Sequence, residues 1–347
     1  EVLLSLPEVE VGGIADLNGE VVTELGRRHG IALATTEVDR LVEDPSLPVI
    51  AIAAGDKAHY PLVMACARAG KHVICEKPIA TEVSHGREMV TAMATAERLF
   101  SITFNNRAGR VTRRIKELVD SGVIGKVRMV RLVGLMAQPD NRDLRAQIGE
   151  EASRARLRNI CVDGKNALFD CGVHSFDFAR YLVGSEFKRL EAMGYGMRGL
   201  PHPDHGVKLC EHENGVLSLI EKSFVYAYEA AERKEYVRYD VEGDEGSLSW
   251  DLDTQVLRVH GRTTTLREQV GHEGKYEVRG ALYQGFLRSV AAGRLEPWLA
   301  SGEDGLKAIE AAQAALDAML ARGMVQRDAG PARNWYEATP AEGAERG

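Results

Sequence analysis

Apolar positions in the first third of the chain come as short continuous runs separated by segments of helical period. Residues 9–15 form one such run, closing at Asp16. Val22 and Leu25 then share a face of a helical stretch after Gly19, and Gly30 is placed to stop it. Residues 49–54 are continuously apolar, as in a strand buried on both faces. A helix follows, with Pro61 expected in its first turn and Gly70 at its end. Residues 72–75 make the next strand, closed by Glu76-Lys77-Pro78, and residues 1–6 read as a helix already under way. Strands alternating with helices over such short connections predict a parallel, doubly wound sheet.

After about residue 105 the texture changes. A helix over 111–121, ahead of Gly122, leads into a strand over 127–135. Residues 138–162 are polar and arginine-rich and read as a long loop or short helices, and a helix over 170–183 is stopped by Gly184. From 188 to 267 strand signals dominate, notably at 206–210, 216–220 and 236–241. Strands following one another without helices predict an antiparallel sheet. Ser301 with Asp304 three residues on has the form of a capping box. Leu306, Ile309, Leu316 and Leu320 make the apolar stripe of the helix it opens, up to Gly323. The expected domains are 1–105, a parallel α/β domain; 106–323, a second α/β domain with a mostly antiparallel sheet; and 324–347, a polar tail.

Composition narrows the function classes. Among 347 residues, 44 Lys+Arg stand against 51 Asp+Glu, a formal net charge of −7, which argues against a nucleic-acid-binding surface. No stretch approaches the ~18 apolar residues of a membrane span. The five cysteines are odd in number and form no CxxC pair, so neither a disulfide scaffold nor a zinc ribbon is expected, and a reduced, cytoplasmic setting is. His202, Asp204, His205 and His212 are interleaved with Pro201 and Pro203 and read as a loop entering a strand, so no metal site is expected.

Three places can carry chemistry. Asp16 ends the first apolar run; an acid at the end of the second strand of a dinucleotide fold accepts the adenosine ribose hydroxyls of NAD. It reads equally as a turn aspartate capping the helix after Gly19. Glu76-Lys77-Pro78 closes a strand at the carboxyl edge of the sheet, where a lysine can hydrogen-bond a substrate oxygen. By composition alone, a surface Glu–Lys pair before a turn proline is the plainer reading. Asp170 and His174, four residues apart, stand about 40° apart around a helix of 3.6 residues per turn and share a face with Asp177. Acids in a first helical turn also suit the macrodipole. Gly172 and the flanking Phe169 and Phe176 set His174 in an apolar, close-packed neighbourhood and favour a proton-transfer role for it.

The glycine-rich fingerprint of a dinucleotide fold is absent, and Gly12-Gly13 lies inside the run that would be the second strand. Either a first strand and its glycine loop precede Glu1, or the chain does not hold a dinucleotide in the ordinary way; the first is the expectation.

These motifs together resemble the glucose–fructose oxidoreductase / inositol dehydrogenase (Gfo/Idh/MocA) family. Residues 69–78, AGKHVICEKP, are similar to its AGKHVxxEKP signature; residues 170–177, DCGVHSFD, to its D-x-G-x-H-x-x-D helix; and residues 121–127, SGVIGKV, to the turn entering its second domain. The resemblance runs to about residue 323. It implies a Rossmann domain, N-terminally incomplete here, plus a substrate and oligomerisation domain whose open sheet packs between subunits as a homodimer or homotetramer. It implies NAD(P)-dependent hydride transfer at a secondary hydroxyl or carbonyl of a sugar or cyclitol. Carried over, Lys77, Asp170 and His174 are catalytic, and Asp16, Ala54, Asp56, His59, Glu76, Lys77 and Asn105 lie near the cofactor. Asp16 favours NAD over NADP, since a carboxylate repels a 2′-phosphate.

Departures from the family pattern sharpen the expectation. Gly164-Lys165-Asn166 stands where the family is glycine-rich, so Lys165 and Asn166 are candidate substrate contacts. Gly55 and Asp56 replace the usual proline and asparagine. Two further classes stay open: an NAD-assisted glycosidase or lyase that oxidises its sugar transiently with the same Lys, Asp and His, and a non-catalytic sugar-binding relative without cofactor.

Overall fold

A computed structural model describes residues 2–137, 149, 151–152, 167–196, 202–227, 234–271, 273–323 and 325–326. The chain divides into two compact units, Glu1–Arg113 with His272–Lys307, and Arg114–Gly271 with Ala308–Gly347. The first division thus falls eight residues beyond the sequence expectation of 105 (113 − 105 = 8), and residues 272–307 return to the first unit. The long helix Lys275–Ala292 packs on the strand His72–Cys75 and the short helix Asn105–Ala108, which is why it clusters there.

In the first unit, β1 (Gly13–Ala15) and β2 (Leu33–Thr35) pair in parallel. Separately, β3 (Val49–Ile52), β4 (His72–Cys75) and β5 (Phe100–Ile102) form a parallel set. No ladder joins β1 to β3 among the described residues. Ser101 and Ile102 also pair with a short antiparallel strand, Ala300–Ser301. Between β1 and β2 runs α1 (Gly19–His29), opened by Asn18, whose Oδ1 accepts from Glu20 N and Val21 N, and closed by Gly30 at φ 68°. The N-terminal residues make only a single tight turn, Leu3–Ser5, instead of the helix expected there. Between β2 and β3 runs the short α2 (Asp39–Val42), and between β3 and β4 runs α3, Asp56–Arg68. Pro61 is its sixth residue, not part of its first turn, because the helix already starts at Asp56 after the extended Gly55. The capping box is present: Asp304 Oδ2 accepts from Ser301 N at 2.9 Å, and Ser301 Oγ accepts from Asp304 N at 3.1 Å.

The second unit is built on a nine-stranded sheet. Its middle strands are β6 (Val127–Leu135), β7 (Phe187–Gly196), β8 (His205–His212), β9 (Leu217–Ser223) and β10 (Tyr236–Gly243). The sheet is mostly antiparallel, with β6 and β9 parallel. Strand β6 is entered through the turn after Ser121, where Gly125 takes φ 73° and a Cβ would meet Asp244 Oδ1 at 2.2 Å. One face of the sheet is covered by the helix Gly172–Val183, which packs on β6 and β9 and ends at Gly184 with φ 65°. Buried on that face are Val130, Leu132, Ala192, Cys210 and Ile220. The opposite face leaves Met193, Leu209 and Leu217 exposed.

Candidate active site

Three loops leave the carboxyl ends of β3, β4 and β5: Ala53 to Gly55, Glu76 to Pro78, and Thr103 to Phe104. Ligands of open parallel sheets bind at this edge. The loops are tied to one another. His59, on α3, is fully buried; its Nδ1 lies 2.8 Å from Pro78 O and its Nε2 lies 3.2 Å from Ala54 O. A neutral imidazole has one N–H, which the shorter contact assigns to Pro78; an imidazolium donates to both carbonyls. Thr103 Oγ1 donates to Glu76 Oε2 at 2.8 Å, and Arg279 Nη2 stands 4.0 Å from Glu76 Oε1. His59 and Glu76, expected at the cofactor, therefore spend their polar atoms on holding the loops on either side of Lys77. Lys77 itself is half-buried.

The neighbourhood beneath this edge is apolar and negatively biased. Burial, and next the Glu76 carboxylate, push the Cys75 thiol well above its ordinary value. Burial, and next Glu76, likewise raise Tyr283 on the helix Lys275–Ala292. Thr103 and Arg279 were not legible as site residues in the sequence; the only available signal was that Thr103 immediately follows an apolar run, at a strand's carboxyl end.

Two observations test whether this edge suits a dinucleotide. Asp16 is exposed at the end of β1; its Oδ1 accepts from Asn18 N at 2.8 Å and its second oxygen makes no hydrogen bond among the described residues. The α1 cap is Asn18, so the capping alternative for Asp16 does not hold. Asn105, which opens a short helix just after β5, has a buried Oδ1 with no hydrogen-bond partner among the described residues. A free carboxylate oxygen at the carboxyl end of β1 and an unsatisfied amide oxygen after β5 each fit a ligand rich in hydroxyl and amide donors. Ala54 is exposed and Asp56 is the first residue of α3, so both line the same edge.

In the second unit, Asp170 and His174 do not share one regular helix. Asp170 belongs to a π turn, Ala167–Cys171, and the α-helix starts only at Gly172. The 3.6-residue argument for a common face fails across that junction, because the wider turn rotates Asp170 relative to the helix. The turn packs on β8 and β9, and Cys171 Sγ donates to Asp170 Oδ2 at 3.4 Å. Phe169 and Phe176 are fully buried, as expected, and His174 is half-buried. Asp177 is fully buried. Lys165 and Asn166 lie outside the described residues. Of the histidines near β8, His212 is buried with its ring on Ser185 O at 2.9 Å and Ser218 Oγ at 2.8 Å. His205 faces Glu221 at 3.5 Å and stacks on Tyr195.

Comparison with known proteins agrees with this geometry. Residues 2–104 match the model of the oxidoreductase family with an NAD-binding Rossmann fold, and residues 112–249 match the GFO/IDH/MocA C-terminal domain. The chain is 27% identical over 315 residues to the myo-inositol 2-dehydrogenase of Thermotoga maritima, covering 85% of this chain and 84% of that protein. It is 26% identical over 264 residues to the levoglucosan dehydrogenase of Pseudarthrobacter phenanthrenivorans, covering 69% and 64%. The fold is shared with a solved levoglucosan dehydrogenase in complex with NADH and levoglucosan, with a TM-score of 0.74 at 24% identity over 89% of this chain and 88% of that one. With both halves matched in order and the EKP loop at the carboxyl edge of the parallel strands, the chain belongs to the Gfo/Idh/MocA family of oxidoreductases, as an NAD-binding Rossmann domain followed by the family's C-terminal domain.

Proposed function

We propose that the chain oxidises a secondary hydroxyl of a sugar or cyclitol, or reduces the matching carbonyl, with NAD in preference to NADP. Bound NAD supplies the hydride acceptor. Asp16, Ala54, Asp56 and Asn105 would hold it, while His59 and Glu76 fix the loops around Lys77. His174 takes the hydroxyl proton on its unprotonated ring nitrogen. Lys77 Nζ donates a hydrogen bond to the substrate oxygen as negative charge builds there. Asp170 favours the imidazolium form of His174 through its carboxylate charge. The observation that carries the reading is Lys77 on a loop clamped at the carboxyl end of β4 in an NAD-binding family domain. The relatives, named as dehydrogenases of myo-inositol and levoglucosan, support the substrate class and do not favour the NAD-assisted cleavage or non-catalytic readings.

The functional domains stay as 1–105, 106–323 and 324–347 in this reading. Self-association as a homodimer or homotetramer through the nine-stranded sheet is supported by Met193, Leu209 and Leu217, 63%, 46% and 40% exposed on one face. Free thiols at Cys66, Cys75, Cys171 and Cys210 support a cytoplasmic setting. Among the described residues no helix is long and apolar enough to cross a membrane.

The test is turnover with NAD on sugars, cyclitols and glycosides, read as NADH absorbance. Net NADH with a free sugar or cyclitol is the expected result; release of an aglycone without net NADH overturns it. Lys77→Ala or His174→Ala is expected to slow hydride transfer by about 10²–10⁴-fold with NAD affinity within a few-fold. Near-normal turnover in either variant removes its assigned role.

A further inference from the structure

The loop after β5 leads into a helix of a single turn, Asn105–Ala108, to which the N-cap residue Phe104 gives no side-chain hydrogen bond. One turn fixes several residues for a single hydrogen bond and does not hold its shape unaided. The shape matters because the turn carries Asn105, half-buried, whose Oδ1 has no partner among the described residues. The turn is held from outside. Arg107 is 4% exposed; its Nη2 stands 3.0 Å from Asp304 Oδ1, and its Nη1 donates to Leu299 O at 3.4 Å. Ala108 packs with Leu282, Phe286 and Leu299 in one apolar cluster.

Asp304 is itself fixed in place. Its Oδ2 accepts from Ser301 N at 2.9 Å and from Ser301 Oγ at 3.0 Å, at the start of the helix Gly302–Ala321, which leaves Oδ1 for the guanidinium. That helix start lies hard against β5: a Cβ at Gly302 would stand 2.3 Å from Phe100 Cδ1, and one at Gly305 would stand 2.6 Å from Ile102 Cγ1. Ser101 Oγ donates to Ala300 O at 2.7 Å and ties the same segment to β5. The carboxylate thus keeps a set place relative to β5, and Arg107 passes that place on to the turn after it. The pair is charge-assisted and largely withdrawn from water, so it is directional and little screened by salt.

We propose that Arg107 and Asp304 are positioning residues that hold Asn105 for the nicotinamide half of the dinucleotide. The proposal rests on the NAD reading above and deepens it. The choice of half follows from the strands. Asn105 follows β5 and Lys77 follows β4; these strands are paired neighbours, and Thr103 Oγ1 joins their loops through Glu76. Asn105 is therefore on the side of the lysine that meets the reacting substrate oxygen, whereas Asp16, at the end of β1, serves the adenosine ribose. The carboxamide and ribose hydroxyls of the nicotinamide half carry the donors that an unsatisfied amide oxygen lacks. Neither Arg107 nor Asp304 needs to touch the dinucleotide; both act through Asn105.

The test is a calorimetric titration of the full chain with NADH and, separately, with ADP-ribose, which lacks the nicotinamide. Arg107→Gln is expected to weaken NADH binding at least tenfold and ADP-ribose binding less than threefold, and Arg107→Lys, which keeps the charge, to recover most of the loss. In an Asn105→Ala background, itself weaker for NADH, Arg107→Gln should cost less than a further threefold, because the two residues act as one unit. Circular dichroism checks the fold of each variant. Where Arg107→Gln does not fold, Asp304→Asn, which keeps an oxygen for Ser301 and removes the charge, takes its place in the same comparison. NADH binding unchanged in the folded variant, equal losses for NADH and ADP-ribose, no recovery in Arg107→Lys, or the full further loss in the Asn105→Ala background overturns the proposal. Loss of the fold in both Arg107→Gln and Asp304→Asn marks a purely structural pair and also overturns it. A wild-type chain that binds neither ligand sinks the NAD reading itself, a result distinct from all of these.

Discussion

The loops at the carboxyl edge of β3 to β5 and two buried lysines of the second unit's sheet, Lys208 on β8 and Lys222 on β9, treat polar groups in opposite ways. At the loops His59 and Thr103 meet partners from neighbouring segments: His59 lies against Ala54 O and Pro78 O, and Thr103 donates to Glu76. In the sheet, Lys208 Nζ donates to Gly206 O at 3.0 Å and Lys222 faces Gly134. The first arrangement stabilises a shape and the second buries charge with few acceptors among the described residues. Removing a polar group should therefore change stability with opposite sign in the two regions.

The largest effect is expected at His59. His59→Ala deletes both bridging contacts of a fully buried ring and leaves a cavity, and it should destabilise the chain by about 2–4 kcal/mol. A urea midpoint unchanged from wild type would break the comparison on the loop side. Next in size, Lys208→Met should stabilise the chain at neutral pH by about 1–3 kcal/mol, since a buried, poorly matched charge is replaced by a side chain of similar volume. The pH dependence sharpens this. Burial, and next the charge of Lys222, bring Lys208 down to about 7 in the folded chain, and it titrates near its ordinary value of 10.5 when unfolded. Between those values the unfolded chain binds the extra proton, so wild-type stability from this group rises with pH and the advantage of Lys208→Met shrinks toward 10.5. An advantage that grows over that range, measured by thermal melts, contradicts the assignment. The smallest effect is at the loops again: Thr103→Val keeps the shape of a buried side chain and loses one hydrogen bond to Glu76, for about 1–2 kcal/mol of destabilisation by urea titration.

The contrast also explains what the sequence reveals. Asp16 and Glu76-Lys77-Pro78 stand where apolar runs stop, but Lys77 becomes a site residue, and Asn105 is singled out at all, only through the family resemblance; glycines at 30 and 70 mark helix ends. Strand β6 falls at 127–135 as read from its pattern. What holds the loops was not legible, since His59 and Thr103 act through backbone and side-chain partners 19 and 27 residues away. The π turn at Asp170 was hidden because an i, i+4 spacing looks the same whether the intervening turn is regular or widened. The return of residues 272–307 to the first unit depends on a helix packing on β4 and on the Asn105–Ala108 turn, far back in the chain. Lys208 and Lys222 were hidden for another reason. Strand signals were read there from the apolar and branched residues around them, and a lysine in the buried phase of a strand becomes conspicuous only once the register is known.

His59 has one more consequence. As an imidazolium, a single ring donating to the carbonyls of Ala54 and Pro78 makes the loops after β3 and β4 one lever. A ligand that presses on the first loop is then sensed at the second, next to Lys77, without touching it. Occupancy on one side of this edge and readiness on the other are thus mechanically linked through the imidazole, and a probe placed on either loop should register a guest that binds only its neighbour.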